Sequence, residues 1–422
     1  MIDYDQQGEL TIDGCRAGSL AQQFGTPLFV YSTAQLQRNC AVYADLISEV
    51  GVSSHYAVKA NSNLALLALI KQAGLGFDVV SGGELDRCLR IGAEPSGIVY
   101  SGVGKSKAEL KQAVAAGIGC INIECEGEGE RIIRLAADLD AGKRVRLAIR
   151  VNPDIAVDTH PYIATSLASS KFGVPLARTP ELAKRLADAP GCDLVGLGCH
   201  LGSMLEEIAP VVESCRQLVA LAGRLRPTTE IAHLSLGGGL AVRYRDENQP
   251  GAQELLDACA PMLRGSGLSL MLEPGRSVIA SAGLMLTSVE YCKTNEARNF
   301  AIVDAAMNDL PRPALYNAWH KIIPARRSKK LVKAREQVWD VVGPVCESGD
   351  FIGKDRPLAL EEGDLLAVLT TGAYCASMAS NYNCRPRAAE VLARDGEARL
   401  IAARQSNEQM LASELAVCDA TR

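Results

Sequence analysis

From about residue 53 the chain repeats one theme: a short β-rich apolar run, a turn signal, then a stretch with apolar residues at helical spacing. The β-rich runs are residues 53–58 (SSHYAV), 76–80 (GFDVV), 97–101 (GIVYS), 119–123 (GCINI), 144–151 (RVRLAIRV), 193–199 (DLVGLGC), 231–237 (IAHLSLG) and 268–273 (LSLMLE). Stretches such as NLALLALIKQAG, GGELDRCLRIGA, KAELKQAVAAG, PELAKRLADA and LEEIAPVVESCRQLVALAGRL lie between them, with Gly near several ends, and predict helices. Alternating βα units call for a parallel sheet with right-handed crossovers. Eight units over roughly 220 residues match the size of a closed (β/α)8 TIM barrel. An open doubly wound sheet is the competing arrangement, and the missing GxGxxG after the first strand counts against it.

After about residue 283 the rhythm changes to strands without long helices between them: MLTSVEYCKT, FAIVDAA, QVWDVVGPVC, DLLAVLTTGAYC and AAEVLARDGEARLIAAR. The last is a hairpin candidate with Asp395 and Gly396 at its turn. A mainly antiparallel β domain is expected here. GELTIDG and PLFVYS near the N-terminus also read as β, which gives a barrel over residues 30–282 and a β domain from residues 1–29 with 283–422. The polar stretch 154–171 (DIAVDTHPYIATSLASSK) interrupts the fifth βα unit, as substrate loops at a barrel rim often do.

Composition narrows the function. A net charge of −5 in 422 residues argues against a nucleic-acid or anionic-membrane binder and leaves a small-molecule partner. No apolar run reaches the roughly 18 residues of a spanning helix, and the polar start MIDYDQQGEL has no secretory h-region, so a cytoplasmic protein is expected. Fourteen scattered cysteines without a CxxC pair read as reduced thiols, with no metal site indicated. The basic run 326–335 (RRSKKLVKAR) reads as a solvated surface segment.

A barrel builds its active site at the C-terminal ends of its strands. Lys59, in YAVKANSN, follows the first strand; Asp78 lies in the second; His200 follows the sixth; GGGL (237–240) follows the seventh; and EPGR (273–276) closes the eighth. Singly, each has a bland reading: a solvated lysine, a core histidine, a tight turn, a surface ion pair. Together they offer an amine for a carbonyl, a glycine loop for a phosphate and an acid for a ring nitrogen, which is the chemistry of pyridoxal 5'-phosphate.

YAVKANSN, FDVVSGGEL, CHLGS, GGGL, EPGRSVIASAG, CESGDFIG and GAYCASMASNYNCRPR, in this order from about residue 10 to 405, resemble the alanine-racemase-fold (fold-type III) pyridoxal-phosphate decarboxylases, within them the diaminopimelate decarboxylase family. The resemblance implies that Lys59 carries the cofactor and Glu273 pairs with the pyridine nitrogen. It places His200 on the ring face, Asp78 in the cofactor pocket, and Ser203, Gly238, Gly239, Gly275, Arg276 and Tyr374 around the phosphate. Cys346 is implied as proton donor and Glu347 as substrate ligand, both acting in the partner subunit of a homodimer with shared active sites. Meso-diaminopimelate carries a second amino-acid group, whose carboxylate suits arginine and whose ammonium suits a carboxylate. By resemblance Arg276, Arg312 and Tyr316 meet the first and Glu347 the second, with Cys346 and Tyr374 completing the substrate set. The implied reaction is decarboxylation of meso-2,6-diaminopimelate to L-lysine, the last step of lysine biosynthesis.

Two positions depart from the family pattern: Ser235 stands where an acidic residue is common, and Ser166 where glycine is common. A racemase on the same barrel, a decarboxylase of ornithine, lysine or a carrier-linked acyl amino acid, and a cofactor-free regulatory homologue are the rival readings. The racemase would need a second acid/base where Cys346 stands, and the regulatory homologue would be expected to lack Lys59 or Cys346.

Overall fold

The computed structural model describes residues 1–46, 48–139, 143–163, 165–167, 169–327 and 337–418. Of the basic run 326–335, residues 328–335 lie outside the described residues. The chain divides into two compact units, Asn39–Arg243 with Glu247–Val278, and Met1–Arg38 with Tyr244–Asp246 and Ile279–Arg422.

The first unit is a closed barrel. Its strands are β1 (Val52–Ala57), β2 (Gly76–Val79), β3 (Ile98–Tyr100), β4 (Cys120–Ile123), β5 (Val145–Asn152), β6 (Cys192–Gly198), β7 (His233–Ser235) and β8 (Ser269–Leu272). Each pairs in parallel with the next, and β8 returns to β1 with Leu270 opposite Val52. The open-sheet alternative is thereby excluded. Local signals start the helices: Asn63 accepts from the Ala65 N–H ahead of Leu64–Gln72, and Ser106 with Glu109 forms a capping box ahead of Lys107–Ala116.

Because side chains alternate along a strand, every second residue faces the barrel interior. Asp78, Ser101, Asn122, Arg150, Ser235 and Glu273 form a polar layer at the C-terminal end. Below it Val99, Cys120, Ala148 and Met271 form a buried apolar plug. His55, Gly76, Arg146, His233 and Ser269 lie beyond the plug, toward the N-terminal end.

The helix expected over 205–225 begins only at Ala209. Residues before it are held otherwise: the Leu205 N–H donates to the Gly239 carbonyl at 2.8 Å, and the Leu205 carbonyl accepts from Ala241.

The second unit is built on a nine-stranded, mainly antiparallel sheet. Its long strand Gly283–Thr294 lies between Leu28–Ser32 and Asn299–Val303. Two of its pairings are parallel, Leu28–Ser32 with Ala389–Arg394 and Asn299–Val303 with Gln337–Val342. The hairpin Ala389–Arg394 to Glu397–Ala402 turns at Asp395 and Gly396, both with positive φ, as its sequence predicts. Two strands were not expected from the pattern, Phe351–Leu358 and Ile322–Pro324. The first hides because Lys354, Asp355 and Arg356 break its apolar alternation, with Asp355 at φ 54°. The run expected from 364 to 375 ends as a strand at Leu369, where Thr370 turns to φ 59°. Leu10, Ile12, Leu20, Leu28, Val30, Leu284, Leu286 and Val391 centre the core of this unit.

Candidate active site

The chain leaves β1 through a single 3-10 turn, Val58–Ala60, which carries Lys59. The Ala57 N–H donates to the Pro274 carbonyl at 2.9 Å, so the ends of β1 and β8 are fastened together. Gly275 permits this approach, since a Cβ there would come within 3.1 Å of the Ala57 Cβ. Lys59, 37% exposed, places Nζ 3.9 Å from Oδ2 of the wholly buried Asp78. Among the described residues no hydrogen bond of good geometry reaches either Asp78 oxygen. Burial pushes the Asp78 carboxyl up; the Lys59 ammonium, the Ser101 hydroxyl and the Arg150 and Lys105 cations oppose it.

Glu273 follows β8 and lines a cavity together with Lys59, Asn122, Arg150, His200 and Ser235. Burial first, then the Asp78 charge, raises its pKa to about 7, against the Ser235 hydroxyl and the Lys59 and Arg150 cations. The Ser235 hydroxyl donates to Glu273 Oε1 at 2.6 Å and accepts from the Gly237 N–H at 3.1 Å. The departure at 235 is therefore a positioning group for the acid.

His200 accepts through Nδ1 from the Gly238 N–H at 3.3 Å. Burial and the Lys59 and Arg150 cations hold it well below the ordinary imidazole range, so it is neutral at pH 7. The glycines after β7 are demanded by space: a Cβ at Gly237 would come within 2.6 Å of His200 Nδ1, and one at Gly238 within 2.2 Å of the Glu273 carbonyl. Gly239 adds a φ of 105°, with the Gly202 carbonyl 2.2 Å from where its Cβ would lie. The Ser203 hydroxyl accepts from Arg276 Nη2 at 3.0 Å and Nε at 3.3 Å, and Arg276 is buried.

The polar stretch 154–171 is fastened to the loop after β6. The Thr165 hydroxyl donates to the His200 carbonyl at 2.6 Å, and the Thr159 hydroxyl to the Ser203 carbonyl at 2.6 Å. Ser166, buried, donates to Ile155 O at 2.6 Å, so its departure from glycine is satisfied locally.

The five remaining candidates lie on the second unit. Arg312 opens the short helix Arg312–Tyr316, which carries the half-buried Tyr316 and ends in Asn317 at φ 50°. Arg312 is buried, stacked 4.5 Å above the Tyr244 ring centroid, with Nη1 2.7 Å from His320 Nε2. Its Nε has no hydrogen-bond partner among the described residues, and no carboxylate there pairs with it.

Cys346 and Glu347 project from the loop between Gln337–Val342 and Phe351–Leu358, both exposed. Asp350 shapes that loop by accepting from the Val345 N–H at 2.7 Å and the Met307 N–H at 2.6 Å. The Glu347 carboxylate accepts a hydrogen bond from the Tyr382 hydroxyl. Tyr374 sits at φ 57° beyond the strand Leu365–Leu369.

The barrel thus gathers Lys59, Asp78, His200 and Glu273, with Ser203 and Arg276 paired, while Arg312, Tyr316, Cys346, Glu347 and Tyr374 belong to the other unit. Sequence reasoning missed the polar residues at the ends of β3 to β5, namely Ser101, Asn122, Glu124 and Arg150. Their signal is polar residues two apart in otherwise apolar strands. It also missed Asp350, His320 and Ser235 as groups that hold others in place.

This set suits pyridoxal phosphate on its own chemistry. An amine stands beside the buried Asp78 and shares a cavity with Glu273, whose carboxyl is poised near neutrality, next to glycines whose backbone leaves no room for side chains.

The description "Pyridoxal-dependent decarboxylase, pyridoxal binding domain" matches residues 33–280. The chain is 44% identical over 415 residues to the diaminopimelate decarboxylase of Vibrio cholerae, covering 98% of both proteins. It is 46% identical over 398 residues to that of Neisseria meningitidis serogroup A, covering 94% of this chain and 97% of the relative. The crystal structure of diaminopimelate decarboxylase from Helicobacter pylori complexed with L-lysine superposes with a TM-score of 0.90 at 36% identity, covering 95% of this chain and 100% of that one. With the lysine, the paired carboxyls and the glycine loop at the C-terminal mouth of the barrel, the chain belongs to the pyridoxal-dependent decarboxylases, in the diaminopimelate decarboxylase family.

Proposed function

We propose that the chain decarboxylates meso-2,6-diaminopimelate to L-lysine and carbon dioxide with pyridoxal 5'-phosphate, the last step of lysine biosynthesis. Bound cofactor supplies the electron sink for the pair left when the carboxylate departs as carbon dioxide. Lys59 would hold the cofactor aldehyde and Glu273, steadied by Ser235, the pyridine nitrogen. Neutral His200 would cover the ring face, and Ser203, Gly238, Gly239, Gly275, Arg276 and Tyr374 would hold the phosphate. Asp78 would stand beside the Lys59 amine at that end of the pocket.

At the substrate's distal end, Arg276, Arg312 and Tyr316 would take the carboxylate and Glu347 the ammonium. Cys346 would deliver a proton to the carbon that has lost its carboxylate, and Tyr374 would complete the substrate set. A homodimer whose subunits share active sites is part of the proposal, as is a cytoplasmic location; among the described residues no helix is long and apolar enough to cross a membrane.

The observation that carries the substrate assignment is the buried Arg312 cation, which no carboxylate of the described chain neutralises. Burying a guanidinium without a counter-charge costs several kcal/mol unless an anion arrives to meet it. A substrate with a distal carboxylate meets it; ornithine and lysine have none. Carbon dioxide release from meso-diaminopimelate, ornithine and lysine, compared at equal concentration, tests this. Preference for ornithine or lysine would overturn the assignment.

A further inference from the structure

The N-terminal end of the barrel interior is built unlike an ordinary barrel core. Bulky branched side chains normally fill such a layer. Here two imidazoles pack closely against glycines: a Cβ at Gly76 would come within 2.5 Å of His55 Nδ1, and one at Gly196 within 2.3 Å of His233 Nε2. Beside them opens a cavity of about 720 Å³, which His55, His233, Arg146, Ser53 and Ser269 line. That volume falls in the range of small-molecule sites. The plug of Val99, Cys120, Ala148 and Met271 lies between it and the layer that carries Asp78 and Glu273.

The only permanent side-chain charge among the residues lining this cavity is positive. Among the described residues the exposed Arg146 donates through Nε alone, to the Gly119 carbonyl at 3.1 Å. His55 Nδ1 lies 3.1 Å from the Gly97 carbonyl and so carries its proton there. Among the described residues nothing hydrogen-bonds the His233 ring or the Ser53 hydroxyl, and no Asp or Glu lines the cavity. Burial, then the Arg146 charge and His55, hold His233 at about 4. The exposed Arg146 guanidinium is a permanent cation, the two imidazoles beside it stay neutral, and with no carboxylate among the lining residues the net charge of the cavity wall favours an anion.

We propose that this cavity is a second ligand site, separate from the catalytic mouth, that takes a small molecule by an oxyanion group, with Arg146 and His233 as principal contacts and Ser53 at the entrance. It stands independently of the substrate assignment above.

Calorimetric titration of the cofactor-loaded enzyme with inorganic phosphate, and separately with succinate, tests it. Saturable binding of at least one probe is expected, weakened about tenfold or more by Arg146→Gln and by His233→Gln. Ser53→Glu, at an exposed hydroxyl, sets a competing carboxylate in the entrance and should abolish binding. Tighter phosphate than succinate marks a phosphorylated ligand, and the reverse order a carboxylic acid; either supports the site. Retained absorbance of the lysine-bound cofactor and retained carbon dioxide release show that each variant is folded, and Ser53→Glu decides alone if the others are not. No saturable binding to the parent enzyme, or binding that folded variants leave unchanged, overturns the proposal.

Discussion

Arg312 Nη1 lies 2.7 Å from His320 Nε2, and His320 Nδ1 lies 2.9 Å from the Leu369 carbonyl. A carbonyl only accepts, so Nδ1 carries the ring proton and Nε2 is the lone pair that receives the guanidinium. Tyr244 supports both, 4.5 Å from Arg312 and edge-on to His320 at 5.0 Å. The arginine is thereby aimed before any substrate arrives. His320→Phe keeps the ring and removes the acceptor, which for a bond to a charged group is worth about 1.5–3 kcal/mol. We expect KM for meso-diaminopimelate to rise about 10- to 100-fold with kcat and the bound-cofactor absorbance little changed, and His320→Gln to recover part of the loss. An unchanged KM in steady-state kinetics would sink the positioning role.

Glu273 titrates at about 7 in the folded chain, chiefly through burial and the Asp78 charge, against roughly 4.3 when unfolded. A carboxyl raised by folding holds a proton that the unfolded chain has lost, so its contribution is complete below pH 4 and is lost as pH rises toward 7. Cofactor-free Glu273→Gln lacks this slope. Its thermal midpoint should exceed that of the parent by a few degrees at pH 8 and match it near pH 4. The same substitution should lower decarboxylation about 100-fold or more, because a neutral amide cannot hold a protonated ring nitrogen as a carboxylate does. Parallel pH–stability curves for the two proteins would contradict the account of Glu273.

The barrel was legible because its strands carry their own period and each is followed by a turn and a helical stretch. Lys59, His200 and the glycines could be ranked as candidates because the fold assigns the catalytic end. Ser235 was legible only as a departure; its 2.6 Å bond to Glu273 depends on two strands meeting in register, which no single segment encodes. His320 is equally silent in sequence, eight residues from Arg312 across a helix and an αL turn. Phe351–Leu358 was hidden by three consecutive charged residues, which a strand accepts where a bulge re-aims them.

Cys346 and Glu347 stand exposed on their loop, whereas Lys59 sits in the barrel mouth. If each site draws Lys59 from one subunit and Cys346 from the other, two inactive variants complement. Lys59→Ala and Cys346→Ala, unfolded together and refolded at equal concentration, should regain about one quarter of parental activity. Half the dimers are then mixed, and each holds one intact site of two. Mixtures no more active than the separate variants would place both residues' work within one subunit.

The catalytic layer is also tied by buried charge just past the C-terminal ends of β3 and β4. Lys105 Nζ, 1% exposed, donates to Glu128 Oε1 at 2.8 Å and to the carbonyls of Gly102 and Asn122 at 2.8 and 2.6 Å. Glu128 accepts from the Glu124 N–H at 2.8 Å, and Glu124 in turn accepts from Arg150 Nη1 at 2.8 Å and from the Gly173 N–H at 2.9 Å. The ends of β3, β4 and β5 are thus one hydrogen-bonded unit, and Arg150 enters the cavity from it. Lys105→Met strands the Glu128 carboxylate in a buried site and should cost about 3–5 kcal/mol in denaturant unfolding, whereas Lys105→Met with Glu128→Leu should recover most of that loss. If the single variant unfolds like the parent, the pair is solvated and does not hold Arg150; if it is destabilised and the double variant is not rescued, the carbonyl contacts of Lys105 rather than its charge fasten the layer.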